Sequence, residues 1–424
     1  MTMRWICWAL VACFTSPVHA LDLQDAYALA LRNDPTFHAA LKEREAGQED
    51  RAIGRAALLP KLSYSYNNAR NESEVTQSTA QGNVRADRDY RSYASSFTLR
   101  QPLLDYAAWA QYREGEAKAL LADERFRGRS QELLVRLFQA YSEALLAGEQ
   151  IALAGAQRMA YAERLQLNQH LFEKGEGTRT DLLETQARHD LTLAQEIEAG
   201  DALDAALREL QAIIGEPLAL DDLAPLAGDF HILPLQPAGF DAWRDLAMAS
   251  NADLAAQRHA LDVAAQQREQ RRAGHLPSLS LYASTRKTSS DSESSYNQQY
   301  DTDSIGIQIS VPLFAGGGVA AGTRQASRRY EQASYELDAQ TATTLNELRK
   351  QYKLCLSSVT KARAYEQVVA SAGTLIDATR KSVAGGERVN LDVLDAEQQF
   401  YSARRMAMCA MPASSYGSPP RRPS

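Results

Sequence analysis

The run Asp303 to Val311 reads D-S-I-G-I-Q-I-S-V, with Ile305, Ile307, Ile309 and Val311 alternating strictly with Ser304, Gly306, Gln308 and Ser310. A period of two sends alternate side chains to opposite faces, so the segment predicts a strand between an apolar medium and a polar one. Pro312 and Gly316-Gly317-Gly318 end it. A helical period then runs for about 65 residues, roughly 100 Å at 1.5 Å per residue. A strand feeding so long a helix does not suit a compact globule.

The same order occurs earlier in the chain. Leu21 to Leu59 predicts helix, interrupted at Asn33-Asp34-Pro35 and stopped by Pro60. A first strand has Leu62, Tyr64 and Tyr66 alternating with Ser63, Ser65 and Asn67. Asn71 to Asp89 is polar and charged and is expected to be a solvated loop. In a second strand Tyr93, Phe97 and Leu99 alternate with Ala94, Ser96, Thr98 and Arg100, and Gln101-Pro102-Leu103-Leu104 closes it. Helical periodicity from Asp105 to Lys174 sets Leu134, Phe138, Tyr141 and Leu145 on one face. Gly175-Glu176-Gly177 breaks it. Thr180 or Asp181 is the expected cap of a return helix to Ile214, which Gly215 and Pro217 end.

The second half repeats this. Phe240 to Ala273 predicts helix. Pro277 precedes a strand with Leu279, Leu281 and Ala283 alternating with Ser280, Tyr282 and Ser284. Ser289 to Thr302 reads as a loop before the Ile-rich strand, the long helix, a Gly385-Gly386-Glu387 turn and a return helix from Asn390. The tips align without gaps, Gly175-Glu176 on Gly386-Glu387 and Asp181-Leu182-Leu183 on Asp392-Val393-Leu394. The expected organisation is a first structural repeat over 21–215, a linker over 216–239 and a second repeat over 240–405.

Strands of about ten residues with one apolar face have the length and pattern of tilted transmembrane β-strands. Four strands cannot close a barrel, and an open edge is not tolerated in lipid. The chain must then oligomerise: two copies give eight strands and a filled interior, while three give twelve and room for a pore. Helices of about 100 Å pack on one another rather than on a four-stranded sheet, giving extended hairpins. The fold class is thus an α+β membrane protein, with four transmembrane β-strands and long coiled-coil helical hairpins per chain.

Composition adds limits. The 424 residues carry a formal charge of −7, with a mean hydropathy of −0.40. Neither suggests nucleic-acid binding or a bundle of transmembrane helices. Residues 1–20, with Arg4, an apolar run from Trp5 to Phe14 and Val18-His19-Ala20, predict a secretory signal peptide. Cys7 and Cys13 would leave with it, and no Cys at the cleavage point offers a lipid anchor. Cys355 and Cys409 make no disulfide framework. Export into the envelope of a Gram-negative cell is the expectation.

At the other end, symmetry asks the last helix to run as far as Thr180 to Ile214 does. Residues 406–424 instead read M-A-M-C-A-M-P-A-S-S-Y-G-S-P-P-R-R-P-S, which holds no helix past Pro412. This aberrant tail suggests a frameshift near Cys409.

The L-D-L-Q-D-A-Y-A-L-A-L-R-N-D-P opening, the L-P-x-L strand starts, the duplication and the G-x5-D-[LV]-L tips resemble the TolC-like outer-membrane channels of secretion and efflux systems. The resemblance implies a homotrimer in outer-membrane lipid, with a twelve-stranded β-barrel and a periplasmic α-helical barrel. It also implies a periplasmic adaptor (membrane fusion) protein and an inner-membrane transporter of ABC type as partners. By the same resemblance Asp392 and Asp395 ring the closed periplasmic gate, and three copies of each would favour cations. As an ordinary helix start, Asp392 would need only the helix dipole. Arg388 matches a latch residue, with Thr180 and Asp181 as its partners. Val383 stands where the best-known member has a latching Tyr, so closure here would rest on fewer hydrogen bonds. Gly175 and Gly386 match tips that meet the adaptor.

No catalytic constellation, metal-ligand spacing or cofactor motif stands out, and His38, His170, His189, His231, His259 and His275 are scattered. Gly316-Gly317-Gly318 lacks the Lys-Ser/Thr of a phosphate loop. The expected function is export, with a protein such as a secreted protease of a type I system as lead cargo. The alternatives are a drug or metal efflux factor and, from another class, a soluble periplasmic coiled-coil scaffold.

Overall fold

A computed structural model describes residues 20–80, 82–224, 235–290, 295 and 297–410. The signal-peptide residues 1–19, linker residues 225–234 (with His231) and tail residues 411–424 lie outside them. The elements, in order, are α1 (Leu23–Asn33), α2 (Pro35–Ala56), β1 (Lys61–Thr79), β2 (Gly82–Leu104), α3 (Tyr106–Glu173) and α4 (Arg179–Ile214). There follow α5 (Phe240–Ser250), α6 (Ala252–Arg272), β3 (Ser278–Ser289), β4 (Gln299–Ser310), α7 (Gly318–Ala384) and α8 (Asn390–Ala410). The chain divides into two compact units, one of Met1–Ala39, Ser130–Trp243 and Glu347–Ser424, the other of Ala40–Arg129 and Arg244–Asn346.

The second of these units holds the sheet, antiparallel in the order β1-β2-β3-β4. Its register joins the apolar sets read from the sequence. Leu62 pairs with Leu99, Leu99 with Ala283 and Ala283 with Ile305, and the next row up one face holds Leu281 and Ile307. Ser63, Thr98, Ser284 and Ser304 make the matching row on the other face. The apolar face is bare: Leu62, Ile305, Ile307 and Ile309 are 63–78% exposed. Tyr64 and Phe97 stack across β1 and β2 with ring centroids 4.6 Å apart.

The expected loop Asn71–Asp89 is instead strand. β1 and β2 pair from Lys61↔Arg100 to Thr79↔Gly82. Cross-strand charges hold the outer part together: Arg70 Nε donates to Asp89 at 3.0 Å, and Arg85 pairs with Glu74 at 3.3 Å. Such pairs maintain register without apolar residues, so a polar stretch reads as loop although it is sheet. β4 likewise begins at Gln299, inside the expected Ser289–Thr302 loop, with Lys287 and Asp301 in contact at 3.0 Å.

Beside the sheet, α2 and α3 approach closely. A Cβ on Gly115 would lie 2.3 Å from the Asp50 carbonyl oxygen, and one on Gly54 would lie 2.9 Å from that of Gln111. Only hydrogen at these two positions lets the backbones meet.

The first unit is cored by Leu133, Leu137, Tyr141 and Ala144 of α3 against Leu210, Ile213 and Ile214 of α4 and Ala26 and Ala30 of α1. Leu134, expected on this face, is 47% exposed. The buried stripe is Leu133, Leu137, Tyr141 and Leu145, spaced four apart, and Leu134 falls on its flank. The Tyr141 hydroxyl donates to the carbonyls of Leu21 (3.0 Å) and Ala224 (3.3 Å), fixing the bridge between Leu21 and Leu223.

Asp34 lies at the break between α1 and α2. Its carboxylate accepts from Phe37 N–H at 3.1 Å, Thr36 Oγ1 at 2.6 Å and Arg136 Nη2 at 2.7 Å. The expected helix Phe240–Ala273 is also broken. Asn251 accepts from Leu254 N–H at 2.9 Å and so starts α6. Asn251 stands in the second repeat where Asp34 stands in the first, but no proline marks it. The helix α8 runs to Ala410, five residues past the expected boundary at 405.

Candidate functional site

Both long hairpins turn with one geometry. Gly175 (φ +77°) and Gly386 (φ +78°) take the left-handed conformation that lets a helix end sharply. Glu176 N–H donates to Leu171 O at 2.9 Å, and Glu387 N–H donates to Ser382 O at 3.0 Å. Six-to-one bonds of this kind satisfy carbonyls that the last helical turn leaves free.

The return helices start differently from the expectation. Thr178, not Thr180 or Asp181, caps α4: its hydroxyl accepts from Asp181 N–H at 3.1 Å, while the Asp181 carboxylate accepts from Thr178 N–H at 3.3 Å. Asp181 is therefore the third residue of a capping box. Thr180 is exposed. In α8 the Asp392 carboxylate accepts from Val389 N–H at 3.3 Å. Val389 has no hydroxyl to return the bond, so half of the box remains.

Arg388 is exposed and has no hydrogen-bond or ion-pair partner among the described residues of the chain. The structure does not bring it to Thr180 or Asp181 within one chain. It pairs Asp395 with Arg188 of α4 instead, Nη2 to Oδ1 at 2.8 Å, and Arg188 also donates to Gln398.

Behind that contact lies a buried cluster that sequence reasoning missed. Glu397 of α8 is 4% exposed. Its Oε1 accepts from Arg380 Nη2 of α7 at 2.8 Å and lies 3.5 Å from Arg164 Nη2 of α3. Its Oε2, also buried, has no hydrogen-bond partner among the described residues. Tyr161 of α3 is 1% exposed, and its hydroxyl donates to Leu394 O at 3.3 Å. Burial, helped by the nearby Glu397 carboxylate, pushes the Tyr161 hydroxyl up to about 12. Asn168 and Thr185 join α3 to α4 at 2.7 Å. One signal was present in the sequence: Glu397 falls three and four residues after Leu394 and Val393, so it continues their buried stripe.

α8 also borders an open groove of about 970 Å³ against α7, lined by Ala372, Leu375, Asp395, Gln398, Gln399 and Ala403 among others. Among the described residues no group of His, Cys, Asp or Glu is arranged to hold a metal. The site is a charged, four-helix junction beside two tight turns.

Residues 26–216 and 243–408 match the outer membrane efflux protein family. The chain belongs to that family. Two relatives align with most of this chain and with most of their own length. The alkaline protease secretion protein AprF of Pseudomonas aeruginosa is 58% identical over 407 residues, covering 95% of this chain and 85% of the relative. The proteases secretion protein PrtF of Dickeya chrysanthemi is 53% identical over 389 residues, covering 91% and 84%. Among solved structures, the outer membrane protein VceC of Vibrio cholerae superposes with a TM-score of 0.77 at 17% identity, covering 93% of both chains. That likeness concerns the fold. The outer-membrane assignment follows from the family match and from these relatives.

Proposed function

We propose that this family member is the outer-membrane duct of a type I secretion system whose cargo is a protease. The observation that carries the reading is identity above half, over more than nine-tenths of the chain, to two proteins named for protease secretion. The duct works as a homotrimer. Support comes from the sheet, whose edge strands β1 and β4 have no further strand beside them among the described residues, since an open edge in lipid leaves backbone groups unsatisfied. The α7/α8 groove, lined mostly by small, apolar and amide side chains with Asp395 as its one charged residue, is where a helix of the next copy lies.

The energy comes from an inner-membrane ABC transporter, linked by a periplasmic adaptor that meets the tips at Gly175 and Gly386. Asp392 and Asp395 line the periplasmic gate. Arg388, without a partner among the described residues of its own chain, latches to Thr180 and Asp181 of the neighbouring copy. Binding of the transporter complex shifts the population toward the open tip.

The test is complementation of a Pseudomonas aeruginosa strain lacking AprF, read as extracellular protease activity. Restored secretion supports the reading. Outer-membrane trimers that restore no secretion but lower susceptibility to drugs would favour efflux. Release of the protein in salt-washed periplasm would favour a soluble scaffold.

A further inference from the structure

We infer that Glu397 is a positioning residue that holds α8, and with it the gate carboxylates, against the first hairpin. This rests on the channel reading above. Glu397 sits one turn beyond Val393 and Leu394, both buried, and five residues from Asp392 along the same helix. It reaches Arg164 on one hairpin and Arg380 on the other, so one carboxylate ties α3, α7 and α8 together.

The repeat makes the tie singular. With Gly175 laid on Gly386, the counterpart of Glu397 is Gln186, that of Arg164 is Leu375 and that of Arg380 is Gln169. The duplicated positions therefore hold no ionic substitute for this contact.

The carboxylate is also poorly compensated. Both arginines approach Oε1, and buried Oε2 has no partner among the described residues. A buried charge held on one oxygen depends strongly on its partners, and loss of either side leaves an uncompensated charge. When α8 moves outward, water reaches both oxygens, so the closed tip is held by a contact that can be released. Loss of the contact shifts the population toward the open tip, and groups in one such network do not act additively.

The experiment is single-channel recording from full-length trimers in planar bilayers, after heat-resistant trimers have been confirmed on gels. Glu397→Gln is expected to raise the open fraction roughly tenfold, within the range that coupled contacts give. Arg164→Gln does the same, the double variant adds little beyond either, and Glu397→Asp restores part of the closure. Variant trimers that conduct like the parent overturn the proposal. Trimer loss in Glu397→Gln together with parental conductance in Arg164→Gln also overturns it, because the residue is then structural only. A parent protein that forms no pore at all overturns the channel reading instead, so the two failures are distinct.

Discussion

Asp34 ends one helix and starts the next while 2% exposed. Burial alone would raise its carboxyl, but hydrogen bonds from Thr36, Arg136 and the Phe37 N–H outweigh it and hold the group below its ordinary value of 3.8. A carboxylate depressed in the folded state contributes stability above the unfolded value and loses it as pH falls through the lower, folded one. Asp34→Ala is therefore expected to cost about 1 kcal/mol for the cap, and more for the stranded Arg136 guanidinium. The heat stability of Asp34→Ala and parent should differ at pH 7; the part due to the charge shrinks once pH falls below the ordinary value of 3.8 and is lost only below the lower, folded value. The break itself was legible, because proline announces it. Its role as a junction for Thr36, Phe37 and Arg136 was not, since Arg136 comes to it from a distant part of the chain. The same limit hid Glu397: its place on the buried stripe could be read, but its two arginines lie on other helices.

Among elements, the tips separate what a hairpin needs from what a gate needs. Asp181 and Asp392 both bond the first free N–H of their helix, a task any helix start can set. Asp395 already has Arg188 as its partner at 2.8 Å. If both carboxylates line the mouth, Asp392→Asn should lower the cation-over-anion permeability ratio more than Asp395→Asn does. The reason is that Asp395 is partly neutralised before any ion arrives. Reversal-potential measurements in a salt gradient check this, and equal effects would count against the arrangement. The close approach of α2 and α3 gives a second element-scale outcome. Gly115→Ala puts a methyl group 2.3 Å from the Asp50 carbonyl oxygen, so the helices must part, at about 1–3 kcal/mol for overpacking. Thermal unfolding in detergent should show the loss, whereas Gly239→Ala, where a Cβ meets nothing within 4 Å, should not. The sequence displayed both helices and both glycines. It could not display which backbone each glycine meets.

For the whole molecule, the decisive feature is the bare apolar face of the sheet. The alternation in all four strands was readable because lipid on one side and water on the other impose the same period on each. The polar extension of β1 and β2 was not, because beyond the apolar band charge pairs replace that period. The two faces of the sheet meet opposite solvents, and substitutions at adjacent residues test this. Ile307, 63% exposed, stands on the apolar face beside Leu281, and Gln308 points the other way. Arginine on a lipid-facing strand position costs about 2–4 kcal/mol near the midplane, while the lumen side is tolerant. Ile307→Arg should therefore deplete heat-resistant trimers in outer-membrane fractions, and Gln308→Arg should leave them near parental abundance while altering conductance. A soluble sheet with a half-covered face predicts the reverse for Ile307, where an exposed arginine would improve solubility. Equal loss from both substitutions would mean that both faces pack against protein, and the inference from alternation to a lipid-embedded wall would fail with it.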